Sequence, residues 1–188
     1  MGRTRGWVGM LRGPLAVLVI GLTAAIGGTD SALAADSAYT THDYEACPLT
    51  IDEDAYQVRR CEGFGGIAVN WHNEDDGAVV DFGANGSVDD VPYALPFVFA
   101  GKTVEWRGAT RTGALVPYAA IVRYDMGRSI GGPFEPVLMI FHLDGRTGSC
   151  LAASVDGRRA NANTRARRIA DTFARTFRCG ADTSRARE

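Results

Sequence analysis

The chain has 188 residues, 20 of them basic and 22 acidic, and a net charge of −2. That balance excludes a polycation built to coat nucleic acid. Apolar residues make up 46% of the sequence, enough for one hydrophobic core but, at this length, not for several domains.

In chain order, Arg3, Arg5 and Arg12 come first, with no acid among them. An apolar run from Leu15 to Ile26 follows, broken only by Gly21 and Thr23, and the stretch closes on Ala32-Leu33-Ala34. This pattern predicts a signal peptide over residues 1–34, cleaved after Ala34, with Ala35 as the near alternative. Its apolar core is shorter than the roughly 20 residues that cross a bilayer. Removal leaves 17 basic and 21 acidic residues, a net charge near −4. No second long apolar run appears, so no membrane span is expected after cleavage.

Residues 35–46 are polar and are expected to form a flexible start. The acidic stretch between Cys47 and Cys61 reads as a loop or one helical turn. After Gly63-Phe64-Gly65-Gly66 the pattern becomes strand-like. Alternation predicts strands over 67–71 and 78–82, joined by Asn73-Glu74-Asp75-Asp76-Gly77, then over 97–99, 103–107 and 117–124. The apolar run Val137-Leu138-Met139-Ile140-Phe141 predicts a covered central strand, which Gly145-Arg146-Thr147-Gly148 turns back into 150–155. Ala166, Ile169, Ala170, Phe173, Ala174 and Phe177 fall at spacings of three and four, which predicts an amphipathic helix. Asn161 or Asn163 is its candidate cap and Gly180 its stop. The expected fold is α+β, one domain over residues 47–180. It is an antiparallel β-meander of about six strands with one C-terminal amphipathic helix packed on the sheet. Residues 181–188 are expected to be a disordered tail.

Four cysteines in an exported chain read as two disulfides. Cys47–Cys61 and Cys150–Cys179 are the favoured pairs of three possible sets, because each closes a short loop around one structural unit. A metal site of four thiolates is the rival, and it lacks a Cys-x-x-Cys knuckle.

Several stretches resemble a group of small exported bacterial proteins of unknown function. They are Arg60-Cys61-Glu62-Gly63-Phe64-Gly65-Gly66, Val104-Glu105-Trp106-Arg107 and Pro117-Tyr118-Ala119-Ala120-Ile121-Val122-Arg123-Tyr124. Cys150-Leu151-Ala152-Ala153-Ser154-Val155-Asp156, Ala160-Asn161-Ala162-Asn163 and Cys179-Gly180 continue the likeness. It spans most of Cys47 to Cys179 and implies export and a shared fold, with no activity attached. In the similar sequences a His follows the third cysteine, where this chain has Leu151.

Three histidines are the first candidates for chemistry. His42 reads as solvated. His72 stands beside Asn73-Glu74-Asp75-Asp76, and His142 precedes Leu143-Asp144, so either has carboxylates close by for acid–base or metal chemistry. A polar turn and a hydrogen-bonded strand end are their plainer readings. There is no G-x-S-x-G elbow, and the disulfides leave no thiol nucleophile. The segment 81–87 lacks the spacing of a calcium loop, and Asn85-Gly86-Ser87 is formally a glycosylation sequon. No cofactor or metal is expected.

Charge is unevenly spread. Thirteen acids lie between Asp36 and Asp90, against Arg59 and Arg60. Nine arginines lie between Arg158 and Arg187, against Asp171 and Asp182. Arg165, Arg168 and Arg175 form a basic helix face, either a partner surface or a solvated one. No aromatic residues interleave with the basic stretch as nucleic-acid binding would require, so no nucleic-acid partner is expected. Trp106, Arg107, Tyr118, Arg123 and Tyr124 are the candidate binding surface. The sequence therefore predicts a periplasmic or secreted, non-catalytic module binding an envelope protein, glycan or small ligand. The alternative is a small hydrolase or metal-dependent enzyme using His72 or His142.

Overall fold

Strings of β-branched and aromatic residues that alternate with polar ones favour extended chain, and nearly every such string from Ala35 to Asp156 is a strand. A computed structural model describes residues 1–2, 35–75, 77–85, 96–129 and 131–185. The expected signal peptide beyond its first two residues, Asp76 of the first hairpin turn, most of the sequon and residues 186–188 lie outside them.

The strands are β1 (Ala35–Thr41), β2 (Leu49–Glu53), β3 (Tyr56–Glu62), β4 (Ala68–Glu74), β5 (Gly77–Phe82), β6 (Phe97–Arg111), β7 (Ala114–Gly127), β8 (Phe134–Asp144) and β9 (Gly148–Asp156). The helix α1 (Ala162–Thr172) follows. Strands β2 to β9 lie side by side in chain order, and β1 pairs with β6. Strand β7 takes one edge of β6. The opposite edge is shared, with β5 running parallel at Gly77–Val98 and Ala78–Phe99, and β1 antiparallel from Ala35–Ala109 to Thr41–Thr103.

The expected six-strand antiparallel meander is therefore corrected to a mostly β fold, a nine-stranded mixed sheet with one C-terminal helix. Two physical reasons account for the difference. Strands β1 and β2 lie at sheet edges with mostly exposed side chains, so neither carries more than a short apolar pattern: β1 is largely polar, and in β2 only Leu49 and Ile51 alternate before Asp52 and Glu53. Strand β6 begins beside the start of β5, at Gly77–Val98, rather than beside its end, which makes that pair parallel. Ala35–Thr41, expected to be loose, is β1. The acidic stretch after Cys47, expected to be a loop or turn, is the β2–β3 hairpin. Within the expected tail, Arg185 bridges to Ala153 and exchanges backbone hydrogen bonds with Ala152 and Ser154.

The long β6–β7 hairpin turns on Thr112 and Gly113, both at positive φ (49° and 84°), as a two-residue primed turn requires. The sheet then curls. Phe82 N donates to Ser149 Oγ (3.0 Å), Ala84 N to Arg146 O (3.0 Å) and Asn85 N to Thr147 O (2.6 Å). Gly83 makes this seam possible, because a Cβ on it would lie 2.7 Å from Gly148 N.

Curling separates two apolar faces. Inside lie Val69, Val80, Phe82, Val104, Trp106, Val122, Tyr124, Met139 and Phe141. Phe82 packs edge-on against both Trp106 and Phe141, each at 5.3 Å between ring centroids. Outside, Ala162, Ala166, Ile169 and Ala170 of α1 cover Ala119, Ile121, Leu138, Ile140 and Val155. The helical stripe extends past Thr172 as a 3-10 turn, which buries Ala174 and then Phe177. The Cys47–Cys61 and Cys150–Cys179 disulfides are both formed, and the second ties β9 to the segment beyond the helix. Among the described residues no helix is long and apolar enough to cross a membrane.

Candidate functional site

Strand β6 carries a bulge. Ala100 pairs with Tyr124 and Val104 with Val122, so Gly101, Lys102 and Thr103 stand opposite the single residue Arg123. Such bulges redirect side chains, and they concentrate beside functional sites. This one is held from β1 and the turn after it. His42 N donates to Lys102 O (2.9 Å), and Tyr44 Oη donates to Gly101 O (3.0 Å).

The bulge forms one wall of a groove of about 370 Å³. Ile121 and Leu138 lie at its base, Asn163 and Arg167 of α1 form the far wall, and Tyr39 and Glu105 complete the rim. The groove exists because α1 covers only part of the outer sheet face and leaves the next residue along β7, Arg123, exposed. Among the described residues Arg123 has neither a hydrogen-bond nor an ion-pair partner. Lys102 is loosely engaged, 3.5 Å from Asp43 with both side chains mostly in solvent. Arg167 Nε donates to Glu105 Oε1 (2.6 Å) and its Nη2 to Tyr39 Oη (3.0 Å). The Glu105 hydrogen bond raises the Arg167 pKa further above its ordinary value, so this guanidinium stays charged. The groove thus presents three cations and one carboxylate, and that carboxylate is already engaged.

Beyond the groove, Arg107 holds Asp171 of α1 with two hydrogen bonds and donates Nη1–H to Ser37 Oγ (2.6 Å). Tyr118 Oη also donates to Asp171 (2.7 Å), and Arg175 lies over the Tyr118 ring at 5.2 Å. Burial, helped by the Asp171 hydrogen bond, pushes the Tyr118 phenol up to about 12.

The five residues of the candidate surface are dispersed. Trp106 and Tyr124 are fully buried in the inner core. Trp106 donates its indole N–H to Thr40 Oγ1 (2.9 Å), and Tyr124 Oη accepts from Val80 N (3.0 Å). Arg107 and Tyr118 face the C-terminal half of α1, and Arg123 alone lines the groove. Lys102, Asn163 and Arg167 are site residues that sequence reasoning missed, since they converge only through the bulge and the docked helix.

The histidines also separate. His42, expected to be solvated, is 6% exposed and stacks on Tyr44, which stacks on Trp71. His142 Nδ1 bonds to Ala174 O (2.7 Å) and anchors the 3-10 turn after α1. His72 lies on the polar face of β3–β5, between Tyr56 and Asp81. Among the described residues no group of three or more His, Cys, Asp or Glu side chains is placed to hold a metal ion.

The chain matches no family model, no curated protein and no solved structure. The resemblance to small exported bacterial proteins therefore has no matched family behind it, and two disulfides are the part of it that is seen. Disulfides point to an oxidising compartment.

Proposed function

We propose that this chain is an exported module, periplasmic or secreted, that binds a small anionic ligand in the groove between the β6 bulge and α1. The observation carrying this reading is Arg123, a guanidinium without a partner among the described residues, beside the apolar base formed by Ile121 and Leu138. Lys102 and Arg167 reinforce the positive potential, and a planar guanidinium suits a carboxylate or phosphate offering two oxygens. The groove's volume lies within the roughly 300–1,000 Å³ of small-molecule sites. Export is supported by the Arg-rich start, the apolar run and Ala32-Leu33-Ala34, and by the disulfides.

The test is calorimetric titration of the purified protein with three probes: a uronic-acid oligosaccharide, a short-chain fatty acid and a sugar phosphate. Binding of one probe that weakens at least tenfold in Arg123→Ala and Arg167→Ala is the expected result. Failure of all three to bind, or binding indifferent to Arg123, overturns the reading.

A further inference from the structure

The polar face of β3–β5 carries a chain of side-chain hydrogen bonds that the groove does not use. Arg60 Nε donates to Asn70 Oδ1 (2.8 Å). Asn70 Nδ2 donates to Gly83 O (2.9 Å) and to Asp81 Oδ1 (2.5 Å). Those bonds fix the amide's orientation and take one oxygen of Asp81, whose side chain is 2% exposed. The other oxygen, Oδ2, lies 2.6 Å from His72 Nε2. A carboxylate only accepts, so Nε2 carries the hydrogen. His72 Nδ1 is then the acceptor for the Tyr56 phenol, 2.6 Å away.

The pattern is a hydroxyl bonded to an imidazole that a buried carboxylate orients, which is the arrangement that activates a hydroxyl nucleophile. The imidazole and the carboxylate border an adjoining hollow with Arg60 and Asn70, so the Tyr56–His72 bond joins two open depressions on this face. Here Tyr56 lines a hollow of about 440 Å³ shared with Glu53, Asp54, Glu74 and Asp75. Glu53 and Glu74 are its direct cross-strand neighbours in β2 and β4. That negative wall repels anions and favours cations.

We propose that Tyr56 is a nucleophile activated by His72 and positioned through Asp81, and that it takes acyl groups from esters bearing an ammonium group. Tyr56 Oη bonds to the ester carbonyl carbon as His72 Nδ1 takes the phenolic proton. The bond to the leaving alkoxide breaks, and His72 returns the proton to that oxygen. Water then attacks the acyl-phenol, and His72 takes the water's proton. The C–Oη bond breaks, the tyrosinate regains the proton from His72, and a carboxylic acid departs. Atoms and charge balance with water as the co-reactant. This site is separate from the groove, and either assignment can fail without the other.

The experiment uses the purified full chain and p-nitrophenyl esters whose acyl group ends in an ammonium, a methyl or a carboxylate. Nitrophenolate release is followed, and the acyl group is located by peptide mass. Tyr39, 55% exposed, serves as the reference phenol. Acylation of Tyr56 at least tenfold faster than Tyr39 is expected, in the order ammonium, methyl, carboxylate. His72→Gln should slow it about 100-fold, the lower end of general-base contributions. Asp81→Asn should shift the pH–rate profile, which loss of a purely structural tie would leave unmoved. Tyr56 labelled no faster than Tyr39 overturns the proposal even if every variant misfolds. Equal rates for the three esters overturn its substrate class.

Discussion

Arg107 of β6 grips Asp171 of α1 through two hydrogen bonds, Nε–Oδ1 at 3.0 Å and Nη2–Oδ2 at 2.7 Å, with only 8% of the arginine side chain exposed. This pair docks the helix on the sheet. Removing one partner strands a buried charge, at a cost of about 3 kcal/mol. Asp171→Ala, which also frees Tyr118, should lower unfolding stability by about that amount in urea melts. Arg168→Ala, on the exposed helix face, should stay within about 0.5 kcal/mol.

The Cys150–Cys179 disulfide closes a loop with a sequence separation of 29 and fastens the segment that follows the 3-10 turn. In the chain-entropy account a loop of that size contributes about 3–4 kcal/mol. A Cys150→Ala/Cys179→Ala double variant should therefore melt well below the parent. Its near-UV spectrum should keep the Trp106 signal, because that residue packs on the opposite sheet face. Loss of the Trp106 signal together with the far-UV helix signal would show that the helix and the inner core unfold as one unit.

Burial lowers the His42 pKa below its usual 6.5. The unfolded chain then binds that proton more readily than the fold does, so protonation favours unfolding. The contribution is fully present above about pH 6.5 and is lost as pH falls toward the depressed folded value. Denaturant melts at pH 7.5 and 5.5 should show a loss of stability that is smaller in His42→Gln. An equal loss in both proteins would assign the effect to other groups.

A Cβ on Gly101 would sit 2.7 Å from Arg123 O, a backbone atom that cannot swing away. Gly101→Ala must shift the bulge, at about 1–3 kcal/mol for a forced fit. Because the bulge sets Lys102 and Thr103 in the groove wall, ligand affinity should fall along with stability. Thr103→Ser, which keeps the backbone, should change neither by much.

The sequence pattern made the helix legible because its apolar residues meet a single surface, and the stripe Ala166, Ile169, Ala170 is buried as its spacing predicts. The disulfide pairs were legible because each joins residues close in sequence. Strands β1 and β2 were not, since these edge strands with exposed side chains carry too little apolar alternation, in β2 only Leu49 and Ile51, to mark a strand. Trp106 and Tyr124 looked like surface residues because each has a polar tip, yet Thr40 and the Val80 amide satisfy those tips inside the core. The groove was hidden for a different reason. Its walls come from β1, β6, β7, β8 and α1, and no local spacing encodes a bulge opposite Arg123.

The pairing of β1 with β6 also has a consequence in time. The first strand's partner, Thr103–Ala109, is synthesised more than sixty residues after it, and α1 later still. A growing chain therefore holds Ala35–Thr41 without its partner through about a third of its synthesis, and long-range pairing of this kind closes slowly. The open edge of β6 that β1 will cover is likewise absent until then, so this side of the sheet is completed by its first strand rather than by its last.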